Sequence, residues 1–418
     1  MKRVVIVGMG FGGLRAARTL AGKGMDILLL DRQNYHLFQP LLYQVATAAL
    51  EQESIAYPIR AMTRGWEGVS FRMAEVCGAD FGRKQLFTAE GPVEYDYLIL
   101  AAGSVTNFFG QSAIEQHAYD LKKLTHAVEL RNRILTLFEK ASGEKEPAQR
   151  RACLTFIIVG GGPTGVEFAG SLQELIRYVL AKDYPELSLG ETRIVLVEAT
   201  DRLLAPFPEE LRRYTLERLR RMGVEVLLNT RVSGTDGKQV FFADDTVIPA
   251  HTLFWSAGVA AAPLAATFDV PKAANGRIPV EPDLTLADHP EVFIVGDMAY
   301  LEQDGVPLPM VAPVAMQQGE YAGRAILAKH LDKPVAPFRY RDKGSMATIG
   351  RSSAVAMAYG RTYSGFAAWF VWLALHLMYL VGFRNRLLVL LNWAFYYFFH
   401  ERQVRLITDE QSSRGTGT

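Results

Sequence analysis

Cysteine is scarce in this chain: 2 of the 418 residues, Cys77 and Cys153, are cysteine. They stand far apart and form no C-x-x-C or C-x4-C pair, which excludes a sequence-adjacent redox disulfide and a zinc knuckle. So few thiols are typical of a protein from a reducing compartment. A net charge of +1 also excludes the basic footprint of a nucleic-acid-binding protein. We predict no metal site and no nucleic-acid partner.

The sequence also leaves no room for a secretory signal peptide. It opens with Met1-Lys2-Arg3 and passes at once into an apolar run. We therefore expect the body of the protein to be cytoplasmic, in a prokaryote. A chain of this length is sufficient for two or three domains with their own cores.

Glycine, by contrast, is concentrated in two copies of one motif. Residues 8–13 (GMGFGG) follow the apolar run 4–7, and residues 160–165 (GGGPTG) follow the apolar run 156–159. Both read G-x-G-x-x-G between a buried strand and a helical pattern, the context of a dinucleotide-binding turn. The glycines permit a tight turn, close approach of a pyrophosphate and packing of helix on strand. Two such motifs predict two dinucleotides, an arrangement typical of redox proteins.

Further landmarks follow each motif at similar distances. Asp31 and Glu198 each end the next apolar run, where a carboxylate can accept hydrogen bonds from ribose hydroxyls. Apolar runs that end in Ala102-Gly103 and in Gly258 come later. The repeated order predicts two nucleotide-binding domains of similar build. A carboxylate at Glu198 repels a 2′-phosphate and so favours NADH over NADPH.

These patterns predict an α/β fold with two Rossmann-like domains and a helical, membrane-associating C-terminal tail. We expect residues 1–115 plus 266–330 to form the first domain and residues 116–265, which begin with a helix near 119–141, to form the second. Residues 331–418 would form a C-terminal domain. The first domain is discontinuous because the run 292–295 is expected to return to its sheet. Asp297 follows that run, and it either faces a cofactor or caps a helix.

The tail is rich in aromatic residues and poor in charge. Residues 363–383 carry no acidic or basic side chain except His376, and as one helix they would be about 31 Å long, close to one hydrocarbon thickness. Residues 387–399 form a shorter apolar run, and we predict a membrane-associating helix at each of 363–383 and 387–399. The tail could be a transmembrane helix, a pair of interfacial helices or a buried dimer surface, of which we favour the interfacial pair.

Several basic residues accompany these apolar runs. Residues 384–386 (RNR), Arg402 and Arg405 are expected to face anionic headgroups. We predict that residues 363–405 contact a bilayer surface, and a homodimer stays open.

The chain resembles the type II NADH:quinone oxidoreductases, non-proton-pumping flavoenzymes of respiratory membranes. Besides both glycine motifs, the resemblance rests on residues 36–44 (HLFQPLLYQ), 292–297, 311–319 and 342–350, and on the aromatic tail. It implies FAD in the first domain, NADH in the second, and a membrane quinone as electron acceptor. It also implies a position at the cytoplasmic face of the cell membrane.

The resemblance further implies which residues bind the two cofactors. Those carried over to FAD are Gly8, Gly10, Gly13, Asp31, Ala102, Gly103 and Asp297. Those carried over to NADH are Gly160, Gly162, Thr164, Gly165 and Glu198. Further cofactor-binding candidates are Phe11, Gly12, Arg32, Val76 and Gly258.

Three residues are candidates for the chemistry. Glu167 could relay a proton to the quinone, Gln317 could bind it, and Lys343 could stabilise the charge of reduced flavin. Each has a plainer interpretation: a carboxylate favoured by a helix N-terminus, a helix-surface amide, and a solvated lysine. Pro313 replaces the first glutamine of the family's A-Q-x-A-x-Q motif, so one hydrogen-bond donor to a quinone is absent.

Three other functions compete with this one. A soluble ferredoxin reductase has the same fold but no use for the tail. A sulfide:quinone oxidoreductase needs cysteines beside the flavin, which this sequence does not offer. A membrane-bound redox sensor would hold FAD and NADH without turnover.

Overall fold

The computed structural model describes residues 1–402 and 404–408, which group into two compact units. Unit 1 contains residues 1–37, 56–105 and 259–343. Unit 2 contains residues 38–55, 106–258 and the described residues from 344 onward. This division differs from the predicted one, which gave 38–55 to the first domain and made 331–418 a domain of its own. The C-terminal residues belong to unit 2 because their sheet packs on its helix Pro163–Leu175.

Unit 1 contains a six-stranded sheet that the return strand completes. Across the sheet, the strands are Thr285–Leu286, His289–Ile294, Tyr97–Leu100, Arg3–Val7, Asp26–Asp31 and Val69–Met73. All neighbours run parallel except the first pair. Phe293 lies beside Ile99, so the expectation that residues 292–295 return to this sheet is confirmed.

Both faces of this sheet are covered, which explains why its strands are apolar without alternation. Val4 and Ile6 belong to the core on one face, while Val5 and Val7 belong to the core on the other. Helices Phe11–Leu20 and Ala312–His330 pack together on the first face.

The other elements of unit 1 are short. Its remaining strands are Tyr35–Leu37, Ala56–Pro58, Val76–Asp80, Gln85–Thr88, Gly91–Glu94, Ile278–Pro279, Ala299–Tyr300, Glu302–Gln303 and Val306–Pro307. Its remaining helical turns are Ile59–Met62, Pro263–Thr267, Ala274–Gly276 and Gly296–Met298. Strands Ser104–Thr106 and Val259–Ala261 lie where the chain passes from one unit to the other.

Unit 2 repeats the strand–turn–helix start of unit 1. Its parallel sheet contains, in order, Glu225–Leu227, Arg193–Val197, Thr155–Val159 and Thr252–Trp255. The helix after the glycine turn, Pro163–Leu175, continues through one wider turn, Ile176–Leu180, into Ala181–Asp183. This extension accounts for the long spacing between Gly160 and Glu198.

The predicted helix near 119–141 begins later, at Leu124, and ends at Gly143. Tyr119 does not join the helix because its backbone pairs with the sheet, through hydrogen bonds with the backbone of Leu253 and Trp255. The other helical segments of unit 2 are Gln39–Leu41, Leu42–Ala46, Gln52–Ser54, Ser112–His117, Pro147–Cys153, Leu189–Glu191, Glu209–Met222, Gly365–Tyr379 and Phe383–Phe399. Its other strands are Val232–Thr235, Gln239–Phe242, Val247–Pro249, Ser345–Gly350, Ser353–Ala358 and Arg361–Ser364.

The expectation of one continuous helix over 363–383 is wrong. The first tail helix ends at Tyr379 and the second begins at Phe383, after Gly382, which has a φ of +87°. Arg386 fixes this break, because its guanidinium donates to Leu380 O at 2.7 Å and to Met378 O at 3.0 Å. Among the described residues, no helix combines the length and the apolar character needed to cross a membrane.

Arg402 and Arg405 also differ from their predicted role at a headgroup surface. Arg402 is only 3% exposed, and it donates to Thr47 O and Ser171 O. Arg405 forms an ion pair with Asp183 at 3.2 Å. Both side chains are therefore bonded within unit 2, to backbone carbonyls and to a carboxylate.

The packing of the C-terminal sheet on helix Pro163–Leu175 requires glycine at position 170. A Cβ at Gly170 would lie 1.8 Å from Ile349 O, a backbone atom that can move only with its strand. We expect Gly170→Ala to destabilise unit 2 by about 1–3 kcal/mol. Gly143→Ala is the matched control, because nothing lies within 4 Å of that position. Thermal unfolding checks the prediction, and equal midpoints for the two variants would contradict it.

Candidate functional site

The glycine turn of unit 1 has the geometry of a phosphate cradle. Gly8 has a φ of +95°, and a Cβ there would lie 2.4 Å from Ala101 O. A Cβ at Gly13 would lie 1.8 Å from Gly8 O, so helix and strand meet through glycine. Gly10 instead faces open space at the N-cap of helix Phe11–Leu20. Close approach of a pyrophosphate to this helix N-terminus requires the open space at Gly10.

Asp31 lies at the end of the strand Asp26–Asp31 and stabilises this turn. One carboxylate oxygen accepts from Met9 N at 2.6 Å and the other from Gln33 N at 2.8 Å. Burial raises the pKa of Asp31, against the hydrogen bonds from these amides. Beside the turn, the Phe11 ring stands edge-on to His36 at 5.5 Å.

Asp297 lies inside the short turn Gly296–Met298, and Val295 is the N-cap. The interpretation of Asp297 as a helix N-cap is therefore wrong. Its carboxylate accepts from Ser104 Oγ at 2.5 Å. Ala102 N donates to the sulfur of the next residue, Met298, at 3.3 Å. This arrangement brings Asp297 together with the strand end that carries Ala102 and Gly103.

The other candidates in unit 1 are less engaged with the turn. Arg32 is exposed and pairs with Glu75 at 3.4 Å, while Val76 is buried in the core. Lys343 is exposed. The Gln317 amide donates to Arg341 O at 2.9 Å and accepts from Arg341 N at 3.0 Å. Gln317 thus fixes the backbone segment that leads to Lys343.

The glycine turn of unit 2 repeats this geometry. Gly160 has a φ of +108°, and a Cβ at Gly165 would lie 1.9 Å from Gly160 O. Gly162 faces open space, and Thr164 is exposed in the first helical turn. Glu198 accepts from Gly161 N at 2.7 Å, as Asp31 does from Met9. The two turns are therefore built alike.

Gly258 follows the corresponding strand of unit 2, Thr252–Trp255, and has a φ of +78°. A Cβ there would lie 2.5 Å from the Phe109 ring, and Gly258 O accepts from Asn107 N. The glycine thus lets the 107–109 loop pack against the strand end.

Glu167, in the helix that follows the second turn, lines a narrow cavity of about 60 Å³ within unit 2. Thr348 N donates to Glu167 Oε1 at 3.2 Å. Burial raises the pKa of Glu167 to about 8, against the hydrogen bond from Thr348 N and the opposing effect of the nearby Trp372 indole. The carboxyl therefore holds a proton near neutral pH and is a candidate proton donor, a shift common at functional sites.

Aromatic and amide side chains form most of the remaining wall. Trp393 Nε1 donates to Gln44 Oε1 at 2.7 Å, and Gln44 Nε2 donates to the Tyr43 hydroxyl at 2.9 Å. The Trp372 ring stacks on His376 with centroids 3.9 Å apart. Burial lowers the pKa of His376 to about 4, so it is neutral. The full lining is Tyr43, Gln44, Ala49, Glu167, Ser171, Glu174, Thr348, Gly350, Arg351, Trp369, Trp372, Leu373, Trp393, Tyr396, Tyr397 and Arg402.

Sequence reasoning found Glu167 but missed most of this wall. Tyr43 and Gln44 stand in the 36–44 motif, and the tryptophans stand in the aromatic tail, so both signals were visible. Neither signal indicated that the two segments meet. The two cysteines take no part in this wall: Cys77 is exposed and Cys153 is buried, and both are free.

A buried ion pair closes one end of the cavity. Arg402 approaches Glu174 at 3.5 Å, and the Tyr396 hydroxyl donates to Glu174 Oε2 at 2.8 Å. Arg402 also donates to Thr47 O at 2.6 Å and to Ser171 O at 3.1 Å. One side chain therefore joins three segments of unit 2.

Comparison with known proteins identifies the family. Residues 2–319 match the pyridine nucleotide-disulphide oxidoreductase family, and residues 343–402 match the NDH2 C-terminal domain. A type II NADH:quinone oxidoreductase of Mycobacterium tuberculosis is 40% identical over 425 residues, which cover 98% of this chain and 91% of the relative. The chain belongs to the type II NADH:quinone oxidoreductase family. The resemblance noted in the sequence is thereby confirmed.

More distant proteins share the same architecture. The type II NADH:quinone oxidoreductase of Staphylococcus haemolyticus is 29% identical, with 88% of this chain and 93% of the relative covered. The NDH2 structure from Plasmodium falciparum superimposes with a TM-score of 0.89 at 20% identity, over 96% of this chain and 99% of that one. The sulfide:quinone oxidoreductase of Aquifex aeolicus reaches 0.73 at 17% identity, over 96% of each chain. These structural matches show the fold alone.

The Arg402–Glu174 pair yields a stability prediction. Arg402→Ala leaves a buried carboxylate without its cation, so we expect a loss of about 3–5 kcal/mol. Arg405→Ala breaks a partly exposed pair, and the loss should stay below about 1 kcal/mol. Thermal unfolding of the two variants checks this. A midpoint for Arg402→Ala as high as that for Arg405→Ala would refute the proposed role of the buried pair.

Proposed function

We propose that this chain is an FAD-dependent NADH:quinone oxidoreductase, which oxidises NADH and passes the electrons through flavin to a membrane quinone without pumping protons. Family membership and the paired dinucleotide turns support the redox partners. The aromatic cavity beside Glu167 is the observation that supports a quinone as the electron acceptor. It combines flat apolar walls with a carboxyl that is protonated near neutral pH.

FAD fits the residues of unit 1. The open space at Gly10 lies at a helix N-terminus, where a pyrophosphate is stabilised by unpaired backbone amides. Asp31 has a carboxylate at the strand end where the fingerprint holds a ribose, and Asp297 lies beside Ala102 and Gly103. When bound, FAD supplies the hydride-accepting and electron-passing chemistry. We assign Gly8, Gly12, Gly13, Phe11, Arg32 and Val76 to the same site.

NADH fits the turn of unit 2. Gly162 leaves the N-terminus of helix Pro163–Leu175 open, and Thr164 is exposed on its first turn. Glu198 lies at the strand end that meets a ribose in this motif, and its charge would repel a 2′-phosphate. Gly258 shapes the neighbouring strand end.

Glu167 is the residue we assign to proton transfer. Quinone reduction takes up two protons, and a carboxyl with a pKa near 8 holds one at neutral pH. The aromatic rings around it exclude water and offer stacking surfaces to a flat headgroup.

We assign supporting roles, rather than direct contact with the quinone, to Gln317 and Lys343. One N–H and the oxygen of the Gln317 amide are bonded to the Arg341 backbone, which fixes the orientation of the amide. We therefore assign Gln317 to positioning the segment that carries Lys343, whose exposed ammonium would balance the charge of reduced flavin. Pro313 offers no donor in place of the family glutamine.

We also propose that the protein associates with a membrane surface, and the tail helices support this. One face of helix Gly365–Tyr379 is buried through Ala368 and Trp372, while Phe370 and Met378 are exposed. Phe398 and Phe399 are likewise exposed at the end of the second helix. Large aromatic and aliphatic side chains on a helix face suit monotopic binding at a bilayer interface. We place the protein at the cytoplasmic face of a prokaryotic cell membrane.

A direct assay tests the whole proposal. The protein is isolated with its membrane fraction, its flavin spectrum is recorded, and NADH oxidation is followed with and without a short-chain quinone. We expect a flavin spectrum that NADH bleaches and an oxidation rate that depends on quinone. Flavin bleaching without any quinone-dependent rate would instead favour a redox sensor.

Removal of the Glu167 carboxyl isolates the acceptor step. Because the wild-type group loses its proton as the pH rises through about 8, quinone-limited turnover should fall above that pH. Glu167→Gln should keep NADH-driven flavin reduction, lose about 10²-fold in quinone turnover near pH 7, and lack the alkaline decline. Stopped-flow traces from pH 6 to 10 measure both steps.

The control is Glu217→Gln, which removes an exposed carboxylate from helix Glu209–Met222. It should match the wild type in both steps. Unchanged quinone turnover in Glu167→Gln would remove Glu167 from the mechanism.

A further inference from the structure

A second cavity in unit 2, of about 210 Å³, is lined by three arginines. They are Arg177, Arg218 and Arg351, which come from three separate segments. The other lining residues are Gln173, Glu174, Tyr178, Met222 and Ser352. Since one water needs roughly 10–15 Å³, the cavity admits a group of several heavy atoms.

The positive charge of this cavity is not neutralised within the described part of the chain. None of the three arginines forms an ion pair there. Glu174 is the acidic side chain of the lining, and its carboxylate is already used by Arg402, by the Tyr396 hydroxyl and by Arg351 N. Like charges around one cavity repel one another, so an anion bound between the three arginines would stabilise them.

Within the described residues, Arg218 also lacks a hydrogen-bond acceptor at one of its nitrogen atoms. Its Nε is buried and has no hydrogen-bond partner among the residues that the structure describes. A buried N–H donor without an acceptor destabilises a fold, by roughly 1–3 kcal/mol. A ligand with oxygen acceptors would supply what this donor lacks.

The third arginine is placed by contacts outside the cavity lining. Arg351 lies over the Tyr397 ring at 4.3 Å and contacts His400 Nε2. Burial lowers the pKa of His400, and the charges of Arg351 and Lys182 lower it further, against the charge of Glu174.

We propose that this cavity binds a phosphate group, carried either by an anionic lipid or by a free phosphate compound. Guanidinium forks match the oxygens of phosphate in paired hydrogen bonds, and three of them suit a tetrahedral anion better than a flat carboxylate. A lipid source has support in the neighbouring sequence, since Phe398 and Phe399 next to His400 are 71% and 60% exposed. None of the residues that line it belongs to either dinucleotide turn.

The test uses Arg177 and Arg218, because Arg351 and Glu174 also line the aromatic cavity. The variants are Arg177→Gln alone, which alters an exposed side chain, and Arg177→Gln/Arg218→Gln. The matched control is Arg213→Gln/Arg220→Gln, which removes the same charge from exposed positions on helix Glu209–Met222. All proteins carry their flavin, and saturating NAD⁺ occupies the second glycine turn.

Two probes distinguish the sources. Calorimetry measures binding of inorganic pyrophosphate, and co-sedimentation compares vesicles of phosphatidylcholine with vesicles that also contain phosphatidylglycerol. Each lost guanidinium contact should weaken binding about tenfold or more, while the control should bind like the wild type. Loss of the phosphatidylglycerol-dependent fraction identifies a lipid headgroup, and loss of pyrophosphate binding alone identifies a free phosphate compound. Equal binding of both probes by the double variant and the control would overturn the proposal.

Discussion

The contact between Arg402 and Glu174 organises unit 2. A guanidinium near the end of the described chain reaches a carboxylate on the helix after the second glycine turn, and it also holds the carbonyls of Thr47 and Ser171. These bonds fasten the 38–55 segment and the C-terminal helices to one helix. The aromatic cavity exists because these three segments meet, and the arginine cavity borders the same carboxylate.

Helical spacing explains how one helix serves both cavities. Glu167 and Glu174 are seven residues apart on helix Pro163–Leu175, so their side chains lie on the same face. Ser171, between them, lies on that face as well. The helix follows the strand Thr155–Val159 and the second glycine turn, so this turn determines where the helix begins and where both carboxylates lie.

The sequence predicted the structure correctly where local sequence patterns determine it. The two strand–turn–helix starts and the return of residues 292–295 were predicted, since glycine spacing and buried apolar runs determine them. The break after Tyr379 was not, because it depends on Arg386 reaching back to carbonyls. The burial of Arg402 was missed for the same reason. A side chain that bonds to distant backbone leaves no periodic signal, and the cavity walls depend on several such bonds.

The two carboxylates of this helix show how environment assigns different tasks to one residue type. Glu174 has a buried cation and a hydroxyl beside it, so its charge is compensated and its role is to hold segments together. Glu167 has one amide, one indole and apolar rings, which stabilise a charge less than water does, and its pKa rises to about 8. If a cation stood beside Glu167, the carboxyl would lose its proton at neutral pH and could not donate it. Within the described part of the chain no cation forms an ion pair with Glu167, and the proposed chemistry depends on this as much as the packing around Glu174 depends on Arg402.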